Sequence, residues 1–102
     1  MSLNIGRDTP EFQSFAAGCI ERYRKSWPES PTRFSDSWTI TEGPKYIKVV
    51  HDGSVHSFVD RQSGDVLKPA SFARPAKHAR GNIYDDHNGL RGMGPYGPAY
   101  LR

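Results

Sequence analysis

The stretch "KYIKVVHDGSVHSFVDRQSGDVLK", residues 45–68, decides the fold. "KYIKVVH" alternates apolar and polar residues and is rich in β-branched side chains, as a half-buried strand should be. Asp52-Gly53 follows, and this dipeptide suits the two-residue hairpin whose twist matches the flanking strands. "SVHSFVD" then reads as the partner strand, "RQSG" as a second turn and "DVLK" as a further short strand. Alternation places Ile47, Val49, Val55 and Val59 on one face. Tyr46, Lys48, His56 and Phe58 form a mixed polar and aromatic second face.

Upstream, "TPEFQSFAAGCIERYRKSW" repeats its apolar residues at spacings of three and four: Phe12, Phe15, Ala16, Cys19, Ile20, Tyr23 and Trp27. That is one face of an α-helix. Thr9 suits the N-cap, Pro10 the first turn and Glu11 the positive end of the dipole, while Pro28 stops the helix. Gly43 and Pro44 end a short strand beginning at Trp38. The expected architecture is therefore α+β, with one N-terminal helix packed on a small antiparallel meander of three or four strands. The boundaries read as a flexible leader over residues 1–7, helix over 8–27, meander over 38–68, and a basic loop with an irregular tail over 69–102.

Composition limits this single small domain. The chain has 102 residues, 35% apolar, with 10 glycines and 8 prolines, so its core is thin. Twelve percent of residues are aromatic and carry much of the buried area. One cysteine, Cys19, excludes an internal disulfide and a multi-cysteine zinc site. No run approaches the ~20 apolar residues of a membrane span, so no membrane partner is expected, and no signal-peptide pattern opens the chain.

The net charge of +3 is modest, but its placement is not even. Residues 66–84 hold Lys68, Arg74, Lys77 and Arg80 with no acid. With His78 beside them and Phe72 and Tyr84 as stacking surfaces, this segment suits a nucleic acid, single-stranded above all. Every base has a π-face and every link a charge. The plainer reading is a solvated loop whose arginines bond backbone carbonyls and anchor the tail. "HNGLRGMGPYGPAYLR", from His87 onward, carries four glycines and two prolines and no periodicity. Leu90, Met93, Tyr96, Tyr100 and Leu101 would pin it as an irregular strap.

Other chemistry is poorly supplied. His51, His56, His78 and His87 show no metal-ligand spacing. Cys19 lies on the apolar helix face, where a thiol acts as a small hydrophobe. The glycines at 89, 92, 94 and 97 are followed by prolines, not by the helix a phosphate loop requires. No catalytic residue, cofactor or metal is expected, and the chain reads as a non-enzymatic binding protein.

The block "GDVLK…PAKHARGNI…GPYGPAYLR", within residues 46–102, resembles a group of small uncharacterised proteins encoded by tailed bacteriophages. Phe72 stands where an indole is more usual, and Pro69 precedes Ala70 as a further departure. The resemblance implies a phage protein made in the host bacterial cytoplasm, and it carries no activity or ligand with it. Two functions follow as expectations. One is a nucleic-acid-binding accessory protein using the basic segment. The other is a protein–protein inhibitor of a host enzyme or defence component, since Trp, Tyr and Arg dominate interface hot spots. A homodimer fits either, because a thinly covered sheet has an edge to hide.

Overall fold

The computed structural model describes residues 5–26, 37–71, 74–91, 93–94 and 97–98. Its order is α1 (Pro10–Ser26), β1 (Trp38–Glu42), β2 (Tyr46–His51), β3 (Ser54–Asp60), β4 (Asp65–Pro69), β5 (Pro75–Asn82), β6 (Met93–Gly94) and β7 (Gly97–Pro98). The first five strands form one antiparallel meander in the order β1-β2-β3-β4-β5, and β6 and β7 pair separately. The α+β expectation therefore holds, with five strands in the meander where three or four were expected, and a further short pair after it.

The helix buries the face its spacing required. Phe12, Phe15 and Cys19 are buried and Ala16 packs beside them, against Ile47, Val49, Val59 and Val66 of the sheet and Ile83 beyond β5. Thr9 caps differently from expectation. Its Oγ1 accepts from the Gly6 amide at 3.0 Å, while its carbonyl accepts from Gln13 at 2.9 Å. The leader is also docked where described. Ile5 is buried, its amide donates to the Arg61 carbonyl at 2.8 Å, and Arg61 Nε donates back to the Ile5 carbonyl at 2.8 Å. That reciprocal pair fixes Ile5, and Glu42 and the Ile40 carbonyl hold Arg7, in a stretch that sequence alone left loose.

The β2–β3 hairpin turns on Asp52 and Gly53, with φ of 50° and 85°. This is the left-handed pair that Asp-Gly supplies cheaply. One register step departs from simple alternation. Val49 pairs with Ser57 and Val50 with Val55, leaving His56 as the extra residue of a β-bulge. The bulge reverses the assignment of Val55 and His56 made from alternation. His56 turns towards the helix side, 5.3 Å from the Trp38 ring, and is only 4% exposed. Val55, expected to face the helix, is only half-buried and stands outside the main core cluster.

The segment read as a basic loop also differs, since residues 75–82 are a strand at the sheet edge. The pattern concealed it for a physical reason. "PAKHARGN" has no β-branched or aromatic residue, and its pairing with β4 slips twice, between Val66 and Leu67 and between Leu67 and Pro69. Proline, lysine and bulges are what an exposed edge tolerates.

Leu90 and Met93 join the core, so the first part of the strap is pinned as expected. Tyr96, Tyr100, Leu101 and Trp27 lie outside the described residues. The loop before Leu90 depends on Gly89, whose φ is +75° and whose added Cβ would lie 2.8 Å from Val66 Cγ2 and 3.3 Å from Phe15 Cδ1. Gly89→Ala should therefore cost about 2 kcal/mol, from left-handed strain and core overpacking together. A urea titration checks this; an unchanged midpoint would show that the loop yields freely.

Candidate functional site

The alternation of β2, β3 and β4 leaves Tyr46, Lys48, Phe58 and Leu67 on the face opposite α1. Phe58 is fully buried there. The Tyr46 ring meets it edge-on at 5.7 Å, and Lys48 Nζ lies 5.8 Å from its centroid. Lys45 Nζ sits 5.4 Å from the Tyr46 centroid. Phe58 thus supports the face from below, and the half-buried Tyr46 is the ring that reaches its surface.

Beside Tyr46 opens a groove of about 520 Å³, lined by Asp60, Asp65, Leu67, Arg74, Pro75, Ala76 and Lys77 as well. The β4–β5 connection places the two cations. Arg74 O accepts from the Ala70 and Ser71 amides at 2.9 and 3.0 Å, and the Arg74 amide donates to Ser71 Oγ at 3.2 Å. These bonds hold the backbone of Arg74 and leave its side chain uncommitted. Arg74 and Lys77 are both exposed, and neither side chain makes a bond among the described residues.

The carboxylates are partly spoken for. Asp60 Oδ1 accepts from the Gln62 and Ser63 amides at 2.8 and 3.2 Å, closing the β3–β4 turn. Asp65 Oδ1 accepts from Asn82 Nδ2 at 3.0 Å, tying β4 to the end of β5. The sequence reading did not single out either aspartate. Turn residues at that spacing look purely structural until the fold curls β5 round to face them.

The remaining sequence-selected residues scatter. Lys68 is half-buried in β4, and His78 is exposed on β5. The Arg80 guanidinium donates to the His78 carbonyl of its own strand, a backbone bond of the kind the plainer reading expects, made within β5 and not to the tail. Tyr84 is 52% exposed but stands elsewhere, with its ring over Gly64 and facing a second groove formed by Pro10, Glu11, Ser14, Asp85 and Asn88. Phe72 lies outside the described residues. Of the seven, the fold brings Arg74 and Lys77 into one groove, where Tyr46 of the sheet's second face is the aromatic ring beside them.

On the helix side, His56, Ser57 and Cys19 are buried, and the rings next to them are half-buried. Tyr23, Trp38 and His51 cluster with ring separations of 4.2 to 5.8 Å, and His56 adjoins them. His56 Nδ1 lies 3.3 Å from Ser57 Oγ, while Nε2 has no partner among the described residues. Burial, with the nearby His51 adding to it, lowers the His56 pKa to about 4. Burial likewise pushes the Cys19 thiol up to about 12. A neutral, enclosed thiol is a poor nucleophile, so Cys19, Ser57 and His56 are packing groups. Among the described residues no three His, Cys, Asp or Glu side chains gather as metal ligands, and no helix is long and apolar enough to cross a membrane.

Fold and groove together define a small α+β domain, a helix-covered meander with an open polar groove on its other face. The chain belongs to a family of unknown function, DUF7717, whose model matches residues 12–93. That span takes in nearly all of α1 and the whole five-stranded sheet. No curated protein and no solved structure matches the chain.

Proposed function

We propose that this protein is a phage accessory factor that binds single-stranded nucleic acid in the groove beside Tyr46. The observation that carries the reading is a pair of cations, Arg74 and Lys77, whose side chains make no bond among the described residues and line one open groove with an aromatic ring. A base stacks on Tyr46, the two cations meet flanking phosphates, and Lys45 and Lys48 extend the positive field across the strand. Stacking on one ring is worth about 1–3 kcal/mol per base, and a modest basic patch adds the salt-dependent remainder. Single strands are favoured over duplex because only an unpaired base offers its face to Tyr46. Phage origin and action in the host cytoplasm belong to the same proposal, supported by the C-terminal sequence block.

The competing reading, an aromatic surface that inhibits a host protein, has less behind it. Trp38 packs into the cluster with Tyr23, His51 and His56 and is not displayed as an anchor.

Fluorescence anisotropy of labelled single-stranded DNA, single-stranded RNA and duplex DNA tests the proposal. Saturable micromolar binding of single strands is expected. It should weaken between about fivefold and twentyfold from 50 to 200 mM salt if two or three phosphates are contacted. Absence of binding at the lower salt would refute it.

A further inference from the structure

The two carboxylates in the groove are awkward for a surface that merely attracts phosphate. Asp60 and Asp65 line the same space as Arg74 and Lys77, and each repels a passing phosphodiester. Their turn bonds use only Oδ1 of each side chain. The Oδ2 atoms make no bond among the described residues. A half-buried carboxylate with a spare oxygen, next to an aromatic ring, is suited to accept hydrogen bonds from the edge of a stacked base.

Resting on the single-strand reading above, we infer that this groove is a base-selective subsite that prefers guanine. Guanine alone carries two adjacent donors on its Watson–Crick edge, N1–H and the N2 amino group; Asp65, whose Oδ1 holds a single bond, can still accept at both oxygens, and Asp60, whose Oδ1 holds two, accepts both donors at Oδ2. Adenine and cytosine each present one amino donor next to a ring-nitrogen acceptor. Thymine and uracil present a single N3–H between two carbonyls, which a carboxylate repels. In this arrangement Tyr46 carries the ring of the base, Asp60 or Asp65 reads its donor edge, and Arg74 and Lys77 hold the phosphates on either side. The size agrees, since the groove of about 520 Å³ falls within the roughly 300–1,000 Å³ of small-molecule sites. The acidic pair thereby gains a role that simple charge attraction cannot give it.

The test compares a thymidylate 12-mer with the same 12-mer carrying one central dG, bound to wild type, Asp60→Asn and Asp65→Asn. Asparagine keeps an oxygen for the turn bonds, so both variants should fold, and circular dichroism checks that they do. The dG oligomer should bind wild type about tenfold more tightly, the size of one good bidentate base contact. In the variant that loses the reading carboxylate, the ratio between the oligomers should fall to within twofold, even though removing a negative charge strengthens binding of both. Equal affinity of wild type for the two oligomers would overturn the guanine subsite and leave the single-strand reading standing. A preserved ratio in both variants would also overturn it, because the carboxylates would then be repelling groups only. No binding of either oligomer would fail the underlying reading itself.

Discussion

Arg74→Glu combined with Lys77→Glu should reduce single-strand affinity by about a hundredfold or more, with the unfolding midpoint unchanged. Each reversal removes one phosphate contact and places a repelling charge beside the strand, and the two act in one groove. At low salt such a patch supplies much of the binding free energy. Fold neutrality follows from geometry. Both side chains are exposed and make no bonds among the described residues, and exposed substitutions of that kind usually stay within about 0.5 kcal/mol. Arg80→Glu is the useful contrast. Its guanidinium is tied to the His78 carbonyl on the same edge strand, so its reversal should disturb the local edge and affect binding less. The measurement is anisotropy paired with urea unfolding for each variant. Loss of folding in the Arg74/Lys77 pair would make these cations structural, and retained affinity would remove them from the site.

That contrast shows how far the sequence could be read. Helix α1 was legible because its apolar spacing and Pro10 agree with each other, and the β2–β3 hairpin because Asp52-Gly53 admits few alternatives. Strand β5 was not legible. An edge strand is held by pairing to β4 and by the bonds from the Ala70 and Ser71 amides to the Arg74 carbonyl, and neither leaves an apolar pattern in "PAKHARGN". The candidate site was half visible. A basic run names Arg74 and Lys77, but only the curl of β5 over β4 brings them to Tyr46, nearly thirty positions earlier in the chain, and to Asp60 and Asp65. Tyr84 was misjudged because proximity in sequence stood in for proximity in space. Its backbone amide is bound to Asn82 Oδ1 at 2.8 Å, and its ring lies over Gly64. The orientation of His56 was beyond any alternation argument, because a bulge is one extra residue and leaves no compositional mark.

The buried His56 carries the second large effect, a loss of stability in mild acid. Its folded pKa of about 4 lies below the ordinary 6.5, because a charged imidazole would be enclosed beside Trp38 with an unpartnered Nε2. As pH falls below 6.5 the unfolded chain takes up a proton that the native protein refuses, so stability drops until the native ring is itself protonated near pH 4. The contribution is fully present above pH 6.5, and the gap between the two values corresponds to a loss of about 3 kcal/mol across the window. The groups facing it deepen the effect or leave it unchanged. His51 adds repulsion once charged, tempered by Asp52 Oδ2 at 3.3 Å from its Nε2, and the Cys19 thiol stays neutral throughout. Asp85 acts in a separate range. Backbone amides of Gly89, His87 and Asn82 hold its carboxyl below the usual value, so its contribution disappears only below about pH 4, as the carboxyl gains its proton. Urea unfolding of wild type and His56→Gln at pH 7.5 and 4.5 separates these terms. Glutamine lowers stability at neutral pH by leaving an amide to satisfy, yet it cannot take up a proton. Between the two pH values it should therefore lose about 2–3 kcal/mol less than wild type. Equal losses in the two proteins would mean that His56 accepts its proton in the native state, and that the bulge opens to water instead of sealing the ring beneath α1.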